Sequence, residues 1–259
     1  MELRVLGVGD AFTSLYYNTS FLVLSRRPFL VDTPQGLFRL LRERGIDRAT
    51  INDVIITHIH GDHSSGLETL MLWKRYFEGR PIRLYTSRSV YRQLKDRIFP
   101  AFAETFAPDL EKIVASRFDE YADFVELSDD GPCWLDEDLQ VEIRENWHPT
   151  PTLGLKMISP GGSVAISGDT CYRPALLQRL LENGTLDAAR YEKLAGRWLW
   201  DADIIYHEAA RSGPTPHTLE SDLLLLPEEV RRKIRLVHIA DDFAEDRLKV
   251  AQEGETVQF

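Results

Sequence analysis

The sequence predicts an α/β fold in which two β-sheets pack face to face between outer helices, giving four layers in the order αββα. Two observations predict it. Short apolar strand patterns occur in two runs along the chain, each mixed with helical patterns. Polar residues able to bind metal follow the ends of several of these strands. Since a sheet must bury its apolar face against another layer, two such runs predict two packed sheets covered by helices. We predict a single domain over residues 1–259, because no repeat or linker divides the chain.

The first run of elements combines strands with three helical stretches. Its strands are short, apolar and bounded by turn residues, and a glycine is expected to end the first helix. The predicted strands are residues 3–7, 20–24, 28–32, 53–57 and 82–85. Three helical stretches are predicted. The first begins at residue 37 and ends near Gly45, the second covers residues 64–76, and the third runs from residue 86 to about residue 115.

The second run begins with four strands and ends with a mixture of helices and strands. The predicted strands are residues 124–127, 139–143, 154–158, 163–167, 204–206 and, as the last strand of the chain, 236–239. Two helices are predicted within residues 176–197, and a further helix over residues 221–235 is interrupted by Pro227.

The run from Thr57 to His63 contains three imidazoles and one carboxylate directly after the apolar residues 54–56. At the end of a strand, His58 and His60 point to the same side because strand side chains alternate. Asp62 and His63 then turn back from the following loop. Nitrogen and carboxylate ligands at this density suit zinc, manganese or iron(II), so the motif predicts a metal site.

Further metal-ligand types follow three later strands. His148 and Asp169 each come shortly after an apolar strand, and His238 lies on the last predicted strand. A single histidine or a turn aspartate is common in any protein, but together with the first motif they supply seven ligands. That number is enough for two ions that share a carboxylate.

Composition limits the function classes. A net charge of −10 disfavours the binding of long nucleic acid through its phosphates. Residues 71–100 are nevertheless basic, which predicts either a solvated helix face or a surface that attracts a phosphorylated substrate. No apolar run is long enough to span a bilayer, the first residues read as a strand, and two cysteines form no disulfide framework. We therefore expect a cytoplasmic protein without membrane contact.

The ordered motifs resemble those of the metallo-β-lactamase superfamily. The matching residues are the His58–His63 motif, His148, the Ser167-Gly168-Asp169-Thr170 run and His238. The opening residues 6–10 and 29–32 are also similar, whereas the run Thr33-Pro34-Gln35-Gly36 departs from the family pattern. The resemblance implies the metallo-β-lactamase fold, with one metal held by His58, His60 and His148. It implies a second metal held by Asp62, His63 and His238, and a bridging role for Asp169.

A second set of residues resembles the ribonuclease Z-like phosphodiesterase branch of that superfamily. The run His207-Glu208-Ala209 is followed by His217 before the last ligand. A leaving alkoxide needs a proton, which His217 could donate while Glu208 keeps it charged and oriented. The alternative is that His217 caps a helix and Glu208 is an ordinary surface carboxylate.

Within that branch, the chain resembles the members that act on small phosphodiesters. Only residues 149–168 separate His148 from Asp169, too few for the tRNA-gripping arm of ribonuclease Z. We expect two divalent ions, zinc first and manganese or iron(II) as alternatives, to activate a hydroxide that attacks phosphorus. Asp62 would bind metal and orient that water. The expected substrate is a cyclic nucleotide or another cyclic phosphate.

Other functions remain open from the sequence. A thioester hydrolase similar to glyoxalase II uses the same seven ligands but needs neither His217 nor Glu208, because a thiolate leaves without a proton. A tRNA 3′-processing endonuclease and a non-catalytic nucleotide-binding protein are further alternatives. Residues 171–200 could cover the pocket or form a homodimer surface.

Overall fold

The computed structural model describes residues 1–107 and 109–259, which form fifteen strands and seven α-helices. The strands are β1 Glu2–Gly7, β2 Ser20–Leu24, β3 Pro28–Val31, β4 Asp53–Ile55, β5 Ile82–Thr86, β6 Glu104–Phe106, β7 Ile113–Ala115, β8 Ala122–Glu126, β9 Cys133–Trp134, β10 Gln140–Glu145, β11 Leu153–Ser159, β12 Gly162–Ile166, β13 Ile204–Glu208, β14 Ile234–Val237 and β15 Thr256–Gln258. The helices are α1 Leu37–Glu43, α2 Gly61–Trp73, α3 Arg88–Ile98, α4 Pro174–Glu182, α5 Ala188–Ala195, α6 Glu220–Leu223 and α7 Glu228–Arg231.

Two large mixed sheets form the centre of the molecule, which confirms the predicted α/β fold. The first has the order β15-β1-β2-β3-β4-β5-β8, and its strands from β3 to β8 run parallel. The second has the order β14-β13-β12-β11-β10-β9, with β12, β13 and β14 parallel. Helices connect the parallel strands, as expected, because a parallel pair needs a long crossover.

One continuous core joins the two sheets. The ring of Phe21 on β2 lies 5.1 Å from the ring of Tyr206 on β13, and both side chains are fully buried. Apolar residues of both sheets belong to the same buried cluster. The apolar sheet faces therefore cover each other, which is the arrangement that the two runs of strand patterns predict.

The prediction of helical structure through residue 115 is wrong beyond residue 102. Helix α3 continues as a single 3-10 turn over Phe99–Phe102, and the chain then forms the antiparallel pair β6–β7. Phe106 and Ile113 face each other in this hairpin and are exposed. The spacing of these apolar residues fits a short hairpin and a helical turn equally well. The surrounding fold therefore determines which of the two structures forms.

The last strand was also placed too early. The chain continues past β14 and adds β15, which pairs antiparallel with β1 at the edge of the first sheet. The run Thr256-Val257-Gln258 has only one apolar residue, so it gave no strand signal in the sequence. Among the described residues, none of the helices has the length and apolar character needed to cross a membrane.

Candidate metal centre

All seven predicted ligands lie at one edge of the two sheets. Four strands deliver them, because β4, β10, β12 and β14 all end at this edge. His58 and His60 follow β4, while Asp62 and His63 belong to the first turn of α2. The remaining three ligands, one from each of the other strand ends, are His148, Asp169 and His238. The helix start suits Asp62 because the positive end of a helix favours a carboxylate.

Three imidazoles form the first group of ligands, which we call the three-imidazole cluster: His58, His60 and His148. Their ring nitrogens are close, with 3.1 Å from His58 Nε2 to His60 Nδ1 and 3.3 Å from His148 Nε2 to the same atom. One oxygen of Asp169, Oδ2, lies 3.5 Å from His58 Nε2. The ligand atoms of these four residues all lie within 4.8 Å of one another.

The second group, the carboxylate-rich cluster, comprises Asp62, His63 and His238. Asp62 Oδ2 lies 3.0 Å from His238 Nε2 and 3.1 Å from His63 Nε2. The other oxygen of Asp169, Oδ1, is 3.3 Å from His63 Nε2 and 3.7 Å from His238 Nε2. Asp169 thus presents one oxygen to each cluster.

The residues fit divalent metal ions. The nitrogens of the three-imidazole cluster converge on one region, where neutral imidazoles would otherwise point lone pairs at each other. His63 Nε2 is buried and makes no well-aligned hydrogen bond within the described part of the chain, although two carboxylates are near it. A cation bound between these groups would satisfy both conditions.

Burial controls the charge of the three-imidazole cluster. It lowers the pKa of His58 and His60, and it lowers the pKa of His148 to about 3. The charge of Asp169 opposes this shift but does not overcome it. These imidazoles are therefore neutral at physiological pH, which is the form that binds metal.

Carboxylates control the charge of the other cluster. Burial alone would lower the pKa of His238, but the charge of Asp169 and the hydrogen bond that His238 donates to Asp62 raise it to about 9. The pKa of His63 is raised in the same way, against burial, by Asp169 and Asp32. The pKa of Asp62 falls despite burial, because Asp62 accepts a hydrogen bond from His238 and lies beside the imidazole of His63.

Asp32 contacts the candidate ligands, which the sequence did not reveal. It is buried, has a φ of 60°, and accepts hydrogen bonds from the backbone N–H and the hydroxyl of Thr57, both at 2.8 Å. Its Oδ2 lies 2.7 Å from His63 Nδ1, and the hydroxyl of Thr57 lies 3.1 Å from His58 Nδ1. One carboxylate therefore orients a histidine of each cluster. Its position at the end of β3 was the only available signal.

The predicted pair of His217 and Glu208 lies beside the centre. Glu208 Oε2 is 2.9 Å from His217 Nδ1, while Glu208 Oε1 accepts hydrogen bonds from the backbone of Thr218 and Thr170. Burial opposes protonation of His217, but the hydrogen bond and charge of Glu208 outweigh it and raise its pKa. Glu208 is 1% exposed, so the alternative of a surface carboxylate is wrong.

A second residue missed by the sequence reasoning fixes the loop that carries His217. The guanidinium of Arg173 donates to the backbone carbonyls of Gly213, Thr215 and His217 at 3.1–3.4 Å. The loop has no regular structure of its own, and its carbonyls need these donors. Arg173 therefore positions the His217 ring relative to the ligands.

A cavity of about 760 Å³ opens over the centre. It is lined by His60, Asp62, His148, Asp169, His217, His238 and residues of the chain segments 10–12, 209–216 and 240–243. No described residue of segment 71–100 or of segment 171–200 lines it. Within the basic segment, Arg83 instead pairs with buried Asp53, and Arg97 binds the carbonyl of Ile59. Neither segment therefore supplies a wall of this cavity.

Comparison with known proteins identifies a family. The sequence profile described as Anti-Pycsar protein Apyc1 matches residues 1–258. The chain is 28% identical over 247 residues to the Anti-Pycsar protein Apyc1 of Paenibacillus sp. (strain J14), covering 93% of this chain and 90% of that protein. It is also 30% identical over 247 residues to the cAMP/cGMP-dependent 3′,5′-cAMP/cGMP phosphodiesterase B of Dictyostelium discoideum.

The two relatives differ in length. The match to the Dictyostelium protein covers 92% of this chain but only 20% of that protein.

Among solved structures, the metallo-β-lactamase fold protein YhfI from Bacillus subtilis superposes with a TM-score of 0.71 at 14% identity, covering 99% of both chains. The predicted metallo-β-lactamase fold is thereby confirmed, and the named relatives fit the predicted small-substrate phosphodiesterase branch.

Proposed function

The chain belongs to the family of the anti-Pycsar protein Apyc1, and from this premise we propose that it hydrolyses 3′,5′-cyclic nucleotides at its metal centre. The observation that carries the proposal is the His217–Glu208 pair beside the bridging carboxylate Asp169. A centre that only bound nucleotide would not need a histidine outside the ligand set whose pKa is raised by its own buried carboxylate partner. The names of the Paenibacillus and Dictyostelium relatives support the same substrate class.

We propose two divalent ions, zinc first and manganese or iron(II) as alternatives. His58, His60 and His148 would hold one ion and Asp62, His63 and His238 the other, with Asp169 between them. Bound there, the ions would act as Lewis acids on the phosphoryl oxygens and lower the pKa of water. The neutral state of the three-imidazole cluster supports its role as ligand.

His217 acts as the general acid in this proposal. The reaction forms one bond from water oxygen to phosphorus and breaks one bond from phosphorus to a ribose oxygen, which must gain a proton. With Nδ1 paired to Glu208, the other ring nitrogen of His217 is left to donate. A nitrogen of His217 lies within 4.8 Å of ligand atoms of Asp169 and His238, so the donor is near the reacting group.

Asp62 orients the attacking water. Its Oδ2 is already near two imidazole nitrogens, and its pKa is held below its ordinary value, so it stays ionised and can accept a hydrogen bond. In this proposal Asp62 combines metal binding with the alignment of water, and that role stays a prediction.

The size and charge of the molecule support a small substrate. A cavity of about 760 Å³ is within the range that holds small ligands. The net charge of −10 does not favour a long polyanion. We further propose a cytoplasmic setting, supported by two free cysteines. A homodimer stays a prediction.

The proposal is tested by turnover of 3′,5′-cAMP, an aryl phosphodiester and a glutathione thioester with zinc- or manganese-loaded protein. We expect hydrolysis of both diesters and none of the thioester. His217→Ala should lose about 10²–10⁴-fold on 3′,5′-cAMP, whose alkoxide leaves poorly, and much less on the aryl diester. Metal content, measured in parallel, should stay unchanged.

Two results would count against this assignment. Thioester hydrolysis indifferent to His217→Ala, without diester turnover, would indicate a glyoxalase II-like enzyme. A fall in metal content in His217→Ala would make His217 a ligand of the carboxylate-rich cluster. The matched variant Glu208→Gln keeps the shape of the pair but removes its charge. It should show a smaller loss with the same preference for poor leaving groups.

A further inference from the structure

We infer that Phe12 forms the stacking surface for the nucleobase at the mouth of the metal-centre cavity. This inference rests on the proposed function and names the part of the substrate that the metal ligands do not bind. A nucleotide has a phosphate that suits the metal centre and a flat base that needs a different kind of surface. Phe12 offers that surface.

Phe12 combines two properties that no other phenylalanine, tyrosine or tryptophan ring of the cavity combines within the described part of the chain. It lines the cavity, and it is 92% exposed. Burying a phenyl ring stabilises by about 1.5–3 kcal/mol relative to leaving it in water, and a base that stacked on Phe12 would gain part of this free energy. The other phenyl ring of the cavity, Phe243, is half-buried and already has the guanidinium of Arg211 over it at 4.9 Å. Phe12 is therefore the ring that gains most from a bound base.

The chain on both sides of Phe12 is fixed. Asp241 accepts hydrogen bonds from the hydroxyls of Thr13 and Ser14 and from the backbone N–H groups of Ser14 and Leu15. The N–H of Phe12 itself donates to Asp10 at 2.9 Å. A ring on a fixed loop loses little entropy when a base stacks on it.

The same contacts tie this loop to the metal centre. The N–H of Asp10 donates to the carbonyl of Ile239, and the N–H of Ile239 donates to Val8, both within 3.0 Å. Ile239 directly follows the ligand His238. Backbone hydrogen bonds thus fix the distance between His238 and the loop that carries Phe12. A nucleotide needs such a fixed distance, because its phosphate and its base would bind at these two places at the same time.

Charge determines which end of the nucleotide lies at the mouth. Asp10 and Asp242 line the cavity, and the lining cation Arg211 is already paired with the carboxylates of Glu220 and Asp246. Carboxylates repel the phosphate, which is therefore directed inward to the cationic centre. The uncharged base is left beside Phe12. Because every base has a flat face, stacking of this kind should discriminate poorly between bases.

The experiment compares 3′,5′-cAMP with a base-free substrate, methyl ribofuranoside 3′,5′-cyclic phosphate, in zinc-loaded protein. The variants are Phe12→Ala, Phe12→Trp and the control Leu15→Ala. Leu15 is 70% exposed in the same loop but does not line the cavity. We expect Phe12→Ala to raise KM for 3′,5′-cAMP by about 5- to 100-fold with little change in kcat. Phe12→Trp should restore KM, and the effect should be confined to the substrate that carries a base.

A binding measurement gives a second readout. Calorimetric affinity for AMP should fall in Phe12→Ala, while affinity for ribose 5-phosphate should not. Equal changes for both substrates, no change for either, or the same change in Leu15→Ala would overturn the inference. A failure of the proposed function looks different: the wild type would then hydrolyse neither cyclic phosphate, and the inference would fall with it.

Discussion

The three-imidazole cluster and the carboxylate-rich cluster lie on opposite sides of Asp169, and the protein controls their charge in opposite ways. Burial keeps His58, His60 and His148 neutral. On the other side, Asp62, Asp169 and Asp32 hold protons on the imidazoles against the same burial. The comparison teaches that burial lowers the pKa of every histidine in the centre, and that nearby carboxylates decide which of them keep their protons.

This difference has a consequence for metal binding. A metal ion meets neutral ligands in the three-imidazole cluster but has to displace protons in the carboxylate-rich cluster. The carboxylate-rich cluster, however, offers a metal ion more negative charge than the three-imidazole cluster does. We therefore expect the two ions to bind with different affinities and different pH dependence, and three experiments can break or sharpen that expectation.

The largest effect is expected from Asp169→Ala, which removes the residue common to both clusters. Its oxygens lie 3.3 Å from His63 Nε2 and 3.5 Å from His58 Nε2, so neither cluster stays complete. We expect loss of both ions, seen as metal per chain by elemental analysis, and loss of all diester hydrolysis. Asp203→Ala, which removes an aspartate remote from the centre, serves as control. Two retained ions per chain would show that the clusters are independent.

A smaller effect is expected from pH. His238, with a pKa of about 9, is protonated at pH 6–8, so bound metal must displace its proton, and affinity falls as pH falls. His148, with a pKa of about 3, is neutral over the same range. Between pH 8 and pH 6 the affinity of the carboxylate-rich cluster for zinc should therefore fall by about 100-fold for each proton that the ion displaces from His238 and His63, while the affinity of the three-imidazole cluster should change little. Two affinities that change in parallel would contradict the assigned charge states.

The smallest effect is expected from the residues behind the ligands. Asp32→Asn removes the negative charge 2.7 Å from His63 Nδ1 and should weaken the carboxylate-rich cluster by about 10- to 100-fold. Thr57→Val removes the hydroxyl beside His58 Nδ1 and should act mainly on the three-imidazole cluster. Stepwise metal titration of both variants separates the two sites. If both variants weakened the same metal site, the claim that different residues control the two clusters would be contradicted.

Several parts of the centre were predictable because their signal is local. The motif from His58 to His63 puts four potential ligands into six positions, and no distant residue is needed to notice it. The later ligands His148, Asp169 and His238 could be found because the first two follow strand patterns and the third lies on one. The assignment of these seven residues as metal ligands stays a proposal, which the titrations above would test.

Other parts left no local signal. Asp32 looks like any aspartate after a strand, and Arg173 like any arginine before a helix, yet one orients histidines and the other fixes a loop. The β6–β7 hairpin and β15 were missed for a related reason. Short segments take the structure that their neighbours allow, and periodicity over three residues does not choose between strand and turn.

The sequence by itself determined the α/β class, the order of most elements and the residue types of the centre, since apolar periodicity and ligand spacing are properties of the chain. Tertiary structure decided which charges those residues carry. The pKa of an imidazole depends on how deeply it is buried and on which carboxylates lie within a few ångströms. Residues as distant in the sequence as Asp62 and His238 become neighbours only when the two sheets pack. For that reason the opposite charge states of the two clusters, and the exposed ring of Phe12 at their mouth, emerged only from the folded molecule.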